Sequence, residues 1–439
     1  MSPTPKPRMK LAIVGSGISG LAVAHTLKDH ADITVFEAGD YFGGHTHTVD
    51  ITLPTPQGRV THGVDTGFLV FNERTYPNLI NLFAELNVET APSDMSFSVK
   101  VPGALKGKTL EWSGTDLNSV FAQRSNLVNP HFWRMLLDVM RFNALCTRIA
   151  KEQREKELQQ PLSDFLRTHK FSEPFRDWYF LPMLGCIWSC PTSQMLQFPA
   201  ATMVRFCDNH GLLQVNNRPQ WFTVKGGAKH YVQAITSRIA DKHLNTPVQA
   251  IERDDSGVVL HTARGAERFD HVVIAAHADQ ALKMLAQPTA DERDVLSHIG
   301  FQNNRAVLHT DASVMPQKRL AWAAWNYERT SDTQENARVC LHYWLNKLQP
   351  LPFTENVFVS LNPAQAIAAG HVLGEFDYAH PVFDLAAIQA QRRVNSLQGV
   401  QHTWFAGAWM GYGFHEDGFK AGRAAAKGIW QELMQEEAV

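Results

Sequence analysis

The feature that most constrains the fold is a glycine pattern near the start of the chain, Gly15-Ser-Gly-Ile-Ser-Gly20. It follows a short apolar run, 10–14, and opens a stretch, 18–30, whose apolar residues recur at helical spacing. A second apolar run ends in Glu37. In a strand–helix–strand unit these glycines let the backbone approach a diphosphate, and the acid accepts hydrogen bonds from a ribose. The sequence therefore predicts a dinucleotide-binding domain.

The segment after Glu37 distinguishes between two dinucleotides. It continues through Ala38 to the doublet Gly43-Gly44, which suits backbone that passes close to a diphosphate and a flavin. The far end of the chain carries another glycine-rich segment, 407–418, directly before a helical stretch. Two such segments at opposite ends indicate one extended cofactor held from both sides, which favours FAD over NAD.

The bulk composition excludes several classes of protein. A length of 439 residues suits two domains. With 41 basic and 43 acidic residues, the chain has no excess of positive charge that would indicate a nucleic-acid partner. Five scattered cysteines favour a reducing compartment, and hence a cytoplasmic location, over a disulfide framework. We interpret Cys186 and Cys190 as buried helix residues and expect no metal site. Residues 1–7 are typical of a proline-rich tail, and no apolar stretch is long enough to span a bilayer.

Between the two ends, from about 129 to 210, the pattern becomes helical and aromatic. The first helix is predicted to carry one apolar stripe, made of Phe132, Trp133, Leu136, Met140 and Phe142. Core packing explains most of this block, while a second hypothesis is that some of it lines an apolar tunnel for a lipid chain. Helix 132–145 could also dock on a membrane surface. Candidates to hold a carboxylate or a phospholipid head group are Arg124, Arg134 and Arg141.

These patterns predict an α/β fold with two domains that interleave along the chain. A discontinuous, Rossmann-like FAD-binding domain is expected from residues 8–95, 215–300 and 395–437. A substrate domain of mixed helices and β-sheet is expected from residues 96–214 and 301–394. Each domain is thus built from stretches that are far apart in sequence.

Several segments resemble the flavin amine oxidase and phytoene desaturase superfamily. They are Gly43-Gly-His-Thr-His-Thr48, Val64-Asp-Thr-Gly-Phe68, Tyr76-Pro-Asn-Leu79, Leu181-Pro-Met-Leu-Gly-Cys-Ile-Trp-Ser189, Leu361-Asn-Pro363 and Gly411-Tyr-Gly-Phe-His-Glu-Asp-Gly418. More narrowly, the chain resembles the FAD-dependent proteins associated with cyclopropane-fatty-acid synthases, including the N-terminal half of the plant synthases. The desaturase of furan fatty acid synthesis and, more distantly, polyenoic fatty acid isomerase are similar too.

The resemblance implies a set of cofactor contacts. They comprise Gly15, Gly17, Ile18, Ser19, Gly20, Glu37, Ala38, Gly43, Gly44, His45, Thr46, Asp65, Thr66, Gly67, Phe68, Val248, Gly407, Phe414, His415 and Glu416. Val248 would meet the adenine side through its backbone, and the last three residues would open the final helix and point N–H groups at the flavin. Two positions depart from the usual pattern, since His45 stands where many relatives have Arg and Ala408 where most have an acid.

Candidate catalytic residues are fewer. His415 lies beside the expected flavin edge and could act as a base, or it could cap the helix and pack against the flavin. Tyr412 could orient the substrate or pack on the flavin ring. The hydride acceptor itself would be the flavin, so the cofactor carries the difficult step.

The resemblance implies an FAD-dependent oxidoreductase that acts on a free or phospholipid-bound fatty acyl chain, with desaturation favoured. Three alternatives stay open: a redox-neutral isomerase of polyunsaturated fatty acids, a flavin amine oxidase, and a non-catalytic flavin-binding partner of a lipid methyltransferase. The expected partners are a lipid or fatty acid substrate, a neighbouring cyclopropane-synthase-like methyltransferase, and a peripheral contact with the inner face of the membrane.

Overall fold

The computed structural model describes residues 8–152, 160–188, 191–214, 219–330 and 339–436. The tail 1–7, Ser189, Cys190 and the predicted domain boundaries at 215 and 437 lie outside these residues. The strands are β1 (Met9–Val14), β2 (Ala31–Phe36), β3 (Thr48–Thr55), β4 (Gly58–Asp65), β5 (Phe71–Asn72), β6 (Thr90–Ser93), β7 (Phe97–Leu105), β8 (Lys108–Ser113), β9 (Trp221–Val224), β10 (Asp241–His243), β11 (Ala250–Asp254), β12 (Gly257–Thr262), β13 (Gly265–Phe269), β14 (His271–Ile274), β15 (Phe301–His309), β16 (Trp325–Glu328), β17 (Cys340–Trp344), β18 (Phe358–Leu361), β19 (Val372–Pro381) and β20 (Thr403–Phe405). The helices are α1 (Ile18–Leu27), α2 (Pro77–Glu85), α3 (Leu117–Val120), α4 (Pro130–Lys151), α5 (Leu162–Thr168), α6 (Glu173–Phe175), α7 (Leu181–Trp188), α8 (Thr192–Met195), α9 (Ala200–Asn209), α10 (Lys229–Thr236), α11 (Ala278–Met284), α12 (Ala290–Ser297), α13 (Leu345–Leu348), α14 (Leu385–Gln391) and α15 (His415–Glu436).

Five parallel strands in the order β10-β2-β1-β14-β20 form the sheet that carries the glycine fingerprint. Alternate side chains of β1 enter two different cores, as a strand buried on both faces requires. Leu11 and Ile13 pack with α1 and α15, whereas Ala12 and Val14 pack with the antiparallel meander β11-β12-β13 and with α11 and α12. This three-layer arrangement is Rossmann-like and belongs to the predicted α/β class.

A second, seven-stranded mixed sheet has the order β19-β15-β18-β17-β16-β7-β8. Strands β7 and β8 come from the first predicted substrate segment, and β15 to β19 come from the second. The helices from α4 to α9 pack with this sheet in one large apolar cluster. The two predicted substrate segments therefore share one sheet and one core, while the division into domains stays a prediction.

Helix α4 differs from its predicted apolar stripe. Its buried face carries Phe132, Met135, Phe142, Cys146 and Ile149. Trp133 and Met140, which were expected on the same face, are exposed by 44% and 66%. The prediction of a single stripe is wrong, because α4 carries two apolar rows and only one of them faces the core.

The last described element is helix α15, which begins at His415. Helices α1 and α15 pack against each other through small residues of α15. A Cβ on Gly418 would come within 2.7 Å of Ile18 Cγ2, and a Cβ on Gly422 would overlap the carbonyl oxygen of Ser19. The two glycine-rich ends of the sequence are therefore joined by a close helix–helix contact.

Candidate cofactor and active site

The glycine fingerprint lies where strands β1, β14 and β20 end side by side. Gly15 follows β1 with φ +100°, and a Cβ there would sit 2.6 Å from the carbonyl oxygen of Ala275, which follows β14. Gly407 lies just beyond β20, the next strand of the sheet. Open parallel sheets bind ligands outside the carboxyl ends of their strands, where the strand order reverses. Gly15 and Gly407 therefore share the edge at which a dinucleotide is expected.

Gly20 and Gly17 meet different surroundings. A Cβ on Gly20 would overlap the carbonyl oxygen of Gly15, so the turn itself requires glycine there. A Cβ on Gly17 would meet no heavy atom within 4 Å, and the φ of −63° is open to any residue. Ile18 and Ser19 open helix α1 beside this space, and their N–H groups have no partner within the helix. Such a space beside a helix start fits the diphosphate of a dinucleotide.

Glu37 is held directly beside the fingerprint. Its carboxylate accepts hydrogen bonds from Ser16 N at 2.9 Å, Ser16 Oγ at 2.5 Å and Gly39 N at 2.9 Å, so that Ala38 sits inside a tight turn. The carbonyl oxygen of Glu37 accepts a bond from Thr246 N, which brings the Val248 segment alongside. A carboxylate has further lone pairs for ribose hydroxyls. Ser16 was missed because the pattern leaves its position unspecified.

The second glycine pair runs directly against the first. Gly43 and Gly44 both have positive φ, and a Cβ on Gly44 would lie 3.1 Å from Gly17 Cα. Ser16 Oγ accepts a bond from Gly43 N at 3.1 Å. The next residue, His45, buries its Nε2 without a hydrogen-bond partner among the described residues. A buried polar atom without a partner costs free energy, so this nitrogen fits a donor to the cofactor diphosphate.

A short segment, 66–68, packs along the residues that follow the doublet. Thr66 N donates to His47 O at 2.9 Å and Phe68 N donates to His45 O at 2.8 Å. A Cβ on Gly67 would overlap the carbonyl oxygen of His45, so glycine is required for this close approach. The structure thus brings together the predicted cofactor segments that follow β2 and β4.

The carboxylate of Asp65 is hydrogen-bonded to residues from other parts of the fold. It accepts bonds from Thr48 Oγ1, Ala228 N at 2.9 Å and Gln349 Nε2 at 2.6 Å. These partners belong to the hairpin β3–β4, the start of α10 and the end of α13. Burial raises the pKa of Asp65 to about 6, although those hydrogen bonds and nearby Lys229 oppose the shift. The side chain links three elements through these hydrogen bonds, while the expected position of segment 65–68 near the flavin stays a prediction.

His415 is half-buried at the start of α15. Its Nε2 hydrogen-bonds Thr46 Oγ1 at 2.8 Å and Tyr231 OH at 3.3 Å, and its ring stacks on Phe68 at a centroid distance of 3.8 Å. Burial lowers the pKa of His415 to about 3, so the imidazole is neutral near pH 7 and a weak proton acceptor. This environment favours the packing interpretation over the catalytic base.

The loop before α15 is held by Asp417, an acid in the first turn of that helix. Asp417 Oδ2 accepts bonds from Tyr412 N at 3.0 Å and Phe414 N at 3.1 Å. The N–H of Phe414 is therefore committed within the loop, which corrects the expectation that it points at the flavin. At the helix start, the N–H groups of His415 and Glu416 have no acceptor one turn earlier.

The carboxylate of Glu416 holds a neighbouring helix instead of the cofactor. It accepts bonds from Asn78 N at 3.2 Å, Asn78 Nδ2 at 2.6 Å and Leu79 N at 3.0 Å, which lie in the first turn of α2. The carboxylate is therefore committed to α2, while the prediction for Glu416, which concerned its backbone N–H at the flavin edge, stays a prediction. A carboxylate at a helix start is stabilised by the helix dipole.

Sequence reasoning missed a group of neutral imidazoles around His45. The ring of His45 lies 5.4 Å from that of His380 and 6.3 Å from that of His277, and Tyr378 is 5.2 Å away. Burial lowers the pKa of all three histidines, to about 4 for His380. No local motif marks His277 or His380, since they come from the start of α11 and from β19 and meet His45 only in the fold.

Aromatic rings surround the loop 412–414. Phe206 stacks on Phe414 at 5.2 Å and lies 6.1 Å from Tyr412, and Trp188 Nε1 donates to the carbonyl oxygen of Tyr412 at 3.2 Å. Burial raises the pKa of the Tyr412 hydroxyl, and the positive charge of Arg205 opposes the rise. Phe206, Trp188 and Arg205 belong to helices α7 and α9 of the predicted substrate domain.

A second polar cluster lies in the seven-stranded sheet, away from the fingerprint. Glu328, Cys340 and His342 bring one ligand atom each within 4.8 Å of one another. Glu328 is already paired with Lys100 at 3.0 Å, and His342 Nδ1 bonds Ser360 Oγ at 2.6 Å. These partners account for the cluster as a satisfied buried network.

Within the described part of the chain, no helix combines the length and hydropathy that crossing a bilayer demands. The family model of the flavin-containing amine oxidoreductases matches residues 18–363. Flavin-containing amine oxidase A of Canis lupus familiaris is 23% identical over 261 residues, which cover 57% of this chain and 46% of that protein. The chain thus spans about half the length of this curated relative.

Two solved structures share the fold over nearly their whole lengths. Cyclohexylamine oxidase from Brevibacterium oxydans IH-35A superposes with a TM-score of 0.68 at 18% identity, covering 98% of this chain and 100% of its own. A CLA-producing fatty acid isomerase from P. acnes superposes with a TM-score of 0.64 at 16% identity, covering 98% and 99%. At these identities the likeness confirms the α/β fold class and says nothing of the substrate.

Proposed function

The chain belongs to the flavin-containing amine oxidoreductase family, and we propose that it oxidises a fatty acyl chain to form a double bond. FAD is its cofactor and the chain is an FAD-dependent oxidoreductase, as the family match establishes. The lipid substrate is the new part of the proposal. The single observation that carries it is the aromatic surrounding of the loop 412–414, next to which the carboxylates of Glu416 and Asp417 are already hydrogen-bonded.

These two carboxylates are occupied by backbone groups. Asp417 accepts the N–H groups of Tyr412 and Phe414, and Glu416 accepts those at the start of α2. Burial lowers the pKa of His210 to about 4, so the imidazole that lies 5.6 Å from the ring of Phe414 is neutral as well. Apolar pockets with few polar groups suit an acyl chain better than a charged amine.

A positive charge acts on this loop. The positive charge of Arg205 on α9 opposes the rise in the pKa of the Tyr412 hydroxyl. A positive charge there would attract a fatty acid carboxylate and repel an ammonium ion. We therefore assign Arg205 and Tyr412 to the positioning of a carboxylate or a polar head.

In the proposed reaction a hydride leaves one carbon of the acyl chain, a proton leaves the neighbouring carbon for solvent water, and a double bond remains. Bound FAD would supply the two-electron oxidation as the acceptor of the hydride, with oxygen or another acceptor as the final oxidant. Thr46 hydrogen-bonds His415 and fixes its ring at the helix start. With a pKa of about 3, His415 stays neutral near pH 7 and contributes hydrogen bonding to Thr46 and packing against Phe68.

Amine oxidation is the second candidate. The family match and the similarity to a flavin-containing amine oxidase support it, and so does the fold shared with cyclohexylamine oxidase. The fold shared with a fatty acid isomerase is equally consistent with the lipid proposal. Because both solved structures are below 20% identical, the choice depends on the site and on experiment.

The deciding experiment mixes the FAD-loaded protein anaerobically with unsaturated and methyl-branched fatty acids, and separately with primary amines. We expect the flavin absorbance to bleach with a fatty acid, and Arg205→Gln to raise the acid concentration needed for half-bleaching about tenfold. Arg238→Gln, at an exposed arginine just after α10, is the matched control. Bleaching by amines alone would overturn the lipid proposal, and isomerised product without bleaching would replace desaturation by isomerisation.

A further inference from the structure

The outer surface of the helical block 117–148 is strongly apolar. Large apolar side chains there are exposed by 79% at Leu117, 48% at Leu127, 85% at Val128, 44% at Trp133, 61% at Leu137 and 66% at Met140. Single exposed apolar side chains are ordinary on proteins, whereas several that lie side by side form a patch. Such patches mark surfaces that meet another molecule.

The geometry of α4 gathers three of these side chains on one face. Trp133, Leu137 and Met140 are four and three residues apart, and exposed Ala144 continues the row. The opposite face, with Phe132 and its buried companions, fills the core. Helix α4 is therefore apolar on two sides, and one of them is left uncovered by the described chain.

Positive charge runs beside the exposed apolar row. Arg134, Arg141 and Arg148 follow each other at seven-residue intervals, which places them on one line along α4. The only carboxylate between residues 130 and 151 is Asp138, which is 2% exposed and pairs with Arg134 at 3.2 Å and Arg141 at 3.3 Å. The exposed side of α4 thus presents cations and apolar groups without an exposed anion of its own.

We propose that this surface, residues 117–148, docks on a lipid bilayer that contains anionic lipids. The apolar side chains would enter the interface while the arginines lie at the phosphate level, as in amphipathic helices that lie in the membrane plane. The indole Nε1 of Trp133 donates to Leu127 O at 2.8 Å. Tryptophan suits the boundary between the apolar interior of a bilayer and its head groups. A second copy of the chain fits less well, since α4 offers no exposed carboxylate to pair with its arginines.

A groove at the end of the same helix fits a lipid head group. It has a volume of about 380 Å³, and its lining includes Ala144, Arg148, Lys151 and Glu152. The two cations outnumber the one acid at its wall, and Ala144 belongs to the exposed apolar row. A phosphate there would stand at the depth expected of a head group beside inserted side chains.

The test uses the full-length, FAD-loaded protein and sedimentation with vesicles of phosphatidylcholine alone or with about one third phosphatidylglycerol. We expect binding to the anionic vesicles that weakens several-fold in high salt. The double variant Leu137→Gln with Met140→Gln should bind at least about tenfold more weakly, because two inserted side chains become polar. Flavin absorbance and melting temperature confirm that the variant is folded.

The matched control is Leu385→Gln with Met434→Gln, whose side chains are exposed by 48% and 43% on α14 and α15. It should bind anionic vesicles as the parent protein does. Absence of vesicle binding, or equal loss in the control, overturns the proposal. The proposal is also overturned if the parent protein and the control form a concentration-dependent dimer and the Leu137 and Met140 variant stays monomeric. That result would assign the surface to a second copy of the chain. None of these readouts depends on the proposed acyl oxidation.

Discussion

Gly17 and Gly20 share a fingerprint but serve different purposes, and this can be tested at single positions. Apart from its own chain neighbours, a Cβ on Gly17 meets no heavy atom of the described residues within 4 Å, so Gly17→Ala should leave the melting temperature of the apoprotein unchanged. It should weaken FAD binding by about 1–3 kcal/mol, because the methyl group takes the space beside the helix start that a diphosphate needs. The measurement is a titration of apoprotein with FAD, followed by flavin fluorescence.

Gly20→Ala is the contrasting variant, since its Cβ overlaps the carbonyl oxygen of Gly15. It should lower the melting temperature of the apoprotein itself, with weaker FAD binding as a consequence. If Gly17→Ala destabilised the apoprotein as strongly as Gly20→Ala, the open space beside Gly17 would have no special relation to the cofactor.

The buried carboxyl of Asp65 makes stability depend on pH. Its pKa rises from the usual 3.8 to about 6 because burial disfavours the charge. The folded state therefore holds the proton more tightly than the unfolded chain, and the free energy of unfolding falls as pH rises from about 4 to about 6. The loss amounts to about 3 kcal/mol for a shift of about two pKa units.

Asp65→Asn keeps an oxygen acceptor for Ala228 N and removes the titration. Urea unfolding measures the free energy of unfolding of both proteins between pH 4 and pH 7. The value for the wild type minus that for the variant should fall from about pH 4 to about pH 6 and stay constant from there to pH 7. A difference that stays level through the window would mean that Asp65 keeps an ordinary pKa in the fold. Comparing slopes makes the result independent of how stable the variant is.

At the level of elements, the sequence predicted what depends on local signals. Strand β1, helix α1 and the position of Glu37 follow from glycines and apolar spacing within 30 residues, and the structure has them where expected. The second apolar row of α4 was misassigned because spacing cannot tell a core from an uncovered surface. The role of the Glu416 carboxylate was missed because nothing near it in sequence reveals that α2 begins beside it.

The contact between Glu416 and α2 gives a prediction about an element. Glu416→Ala removes the acceptor for Asn78 N and Leu79 N, both near the start of a helix that buries Leu79, Leu82 and Phe83. The free energy of unfolding should fall by about 2–3 kcal/mol, as for other buried, charged hydrogen-bond partners. Urea titration measures the loss, and hydrogen exchange should show faster opening of residues 77–85.

Glu89→Ala is the control for this change, since Glu89 is an exposed acid paired with Lys225 on the surface. Its urea midpoint should stay close to that of the parent protein, because exposed ion pairs contribute little. An equal loss in both variants would show that Glu416 acts only through its charge and not as a cap of α2.

At the level of the whole molecule, the two glycine-rich ends meet in one contact between α1 and α15. The fingerprint positions the start of α1, and the loop 412–414 leads into α15 with His415 at its first turn. Gly418 and Gly422 let the helices approach until Cβ atoms would touch Ile18 and Ser19. Because α1 and α15 are in close contact, a shift of α15 would move both the loop 412–414 and the helix that follows the fingerprint. This contact is consistent with the expectation of one cofactor held from both ends.

Gly422→Ala tests this coupling. Helix propensity alone would favour alanine by about 1 kcal/mol, whereas overlap with Ser19 O should cost about 1–3 kcal/mol and push α15 away from α1. We expect lower stability together with weaker FAD binding, measured by thermal unfolding and flavin titration. The exposed neighbour Ala424→Leu enlarges α15 on its outer side and should change neither. Lower stability with unchanged FAD affinity would show that the two ends pack together without jointly holding the cofactor.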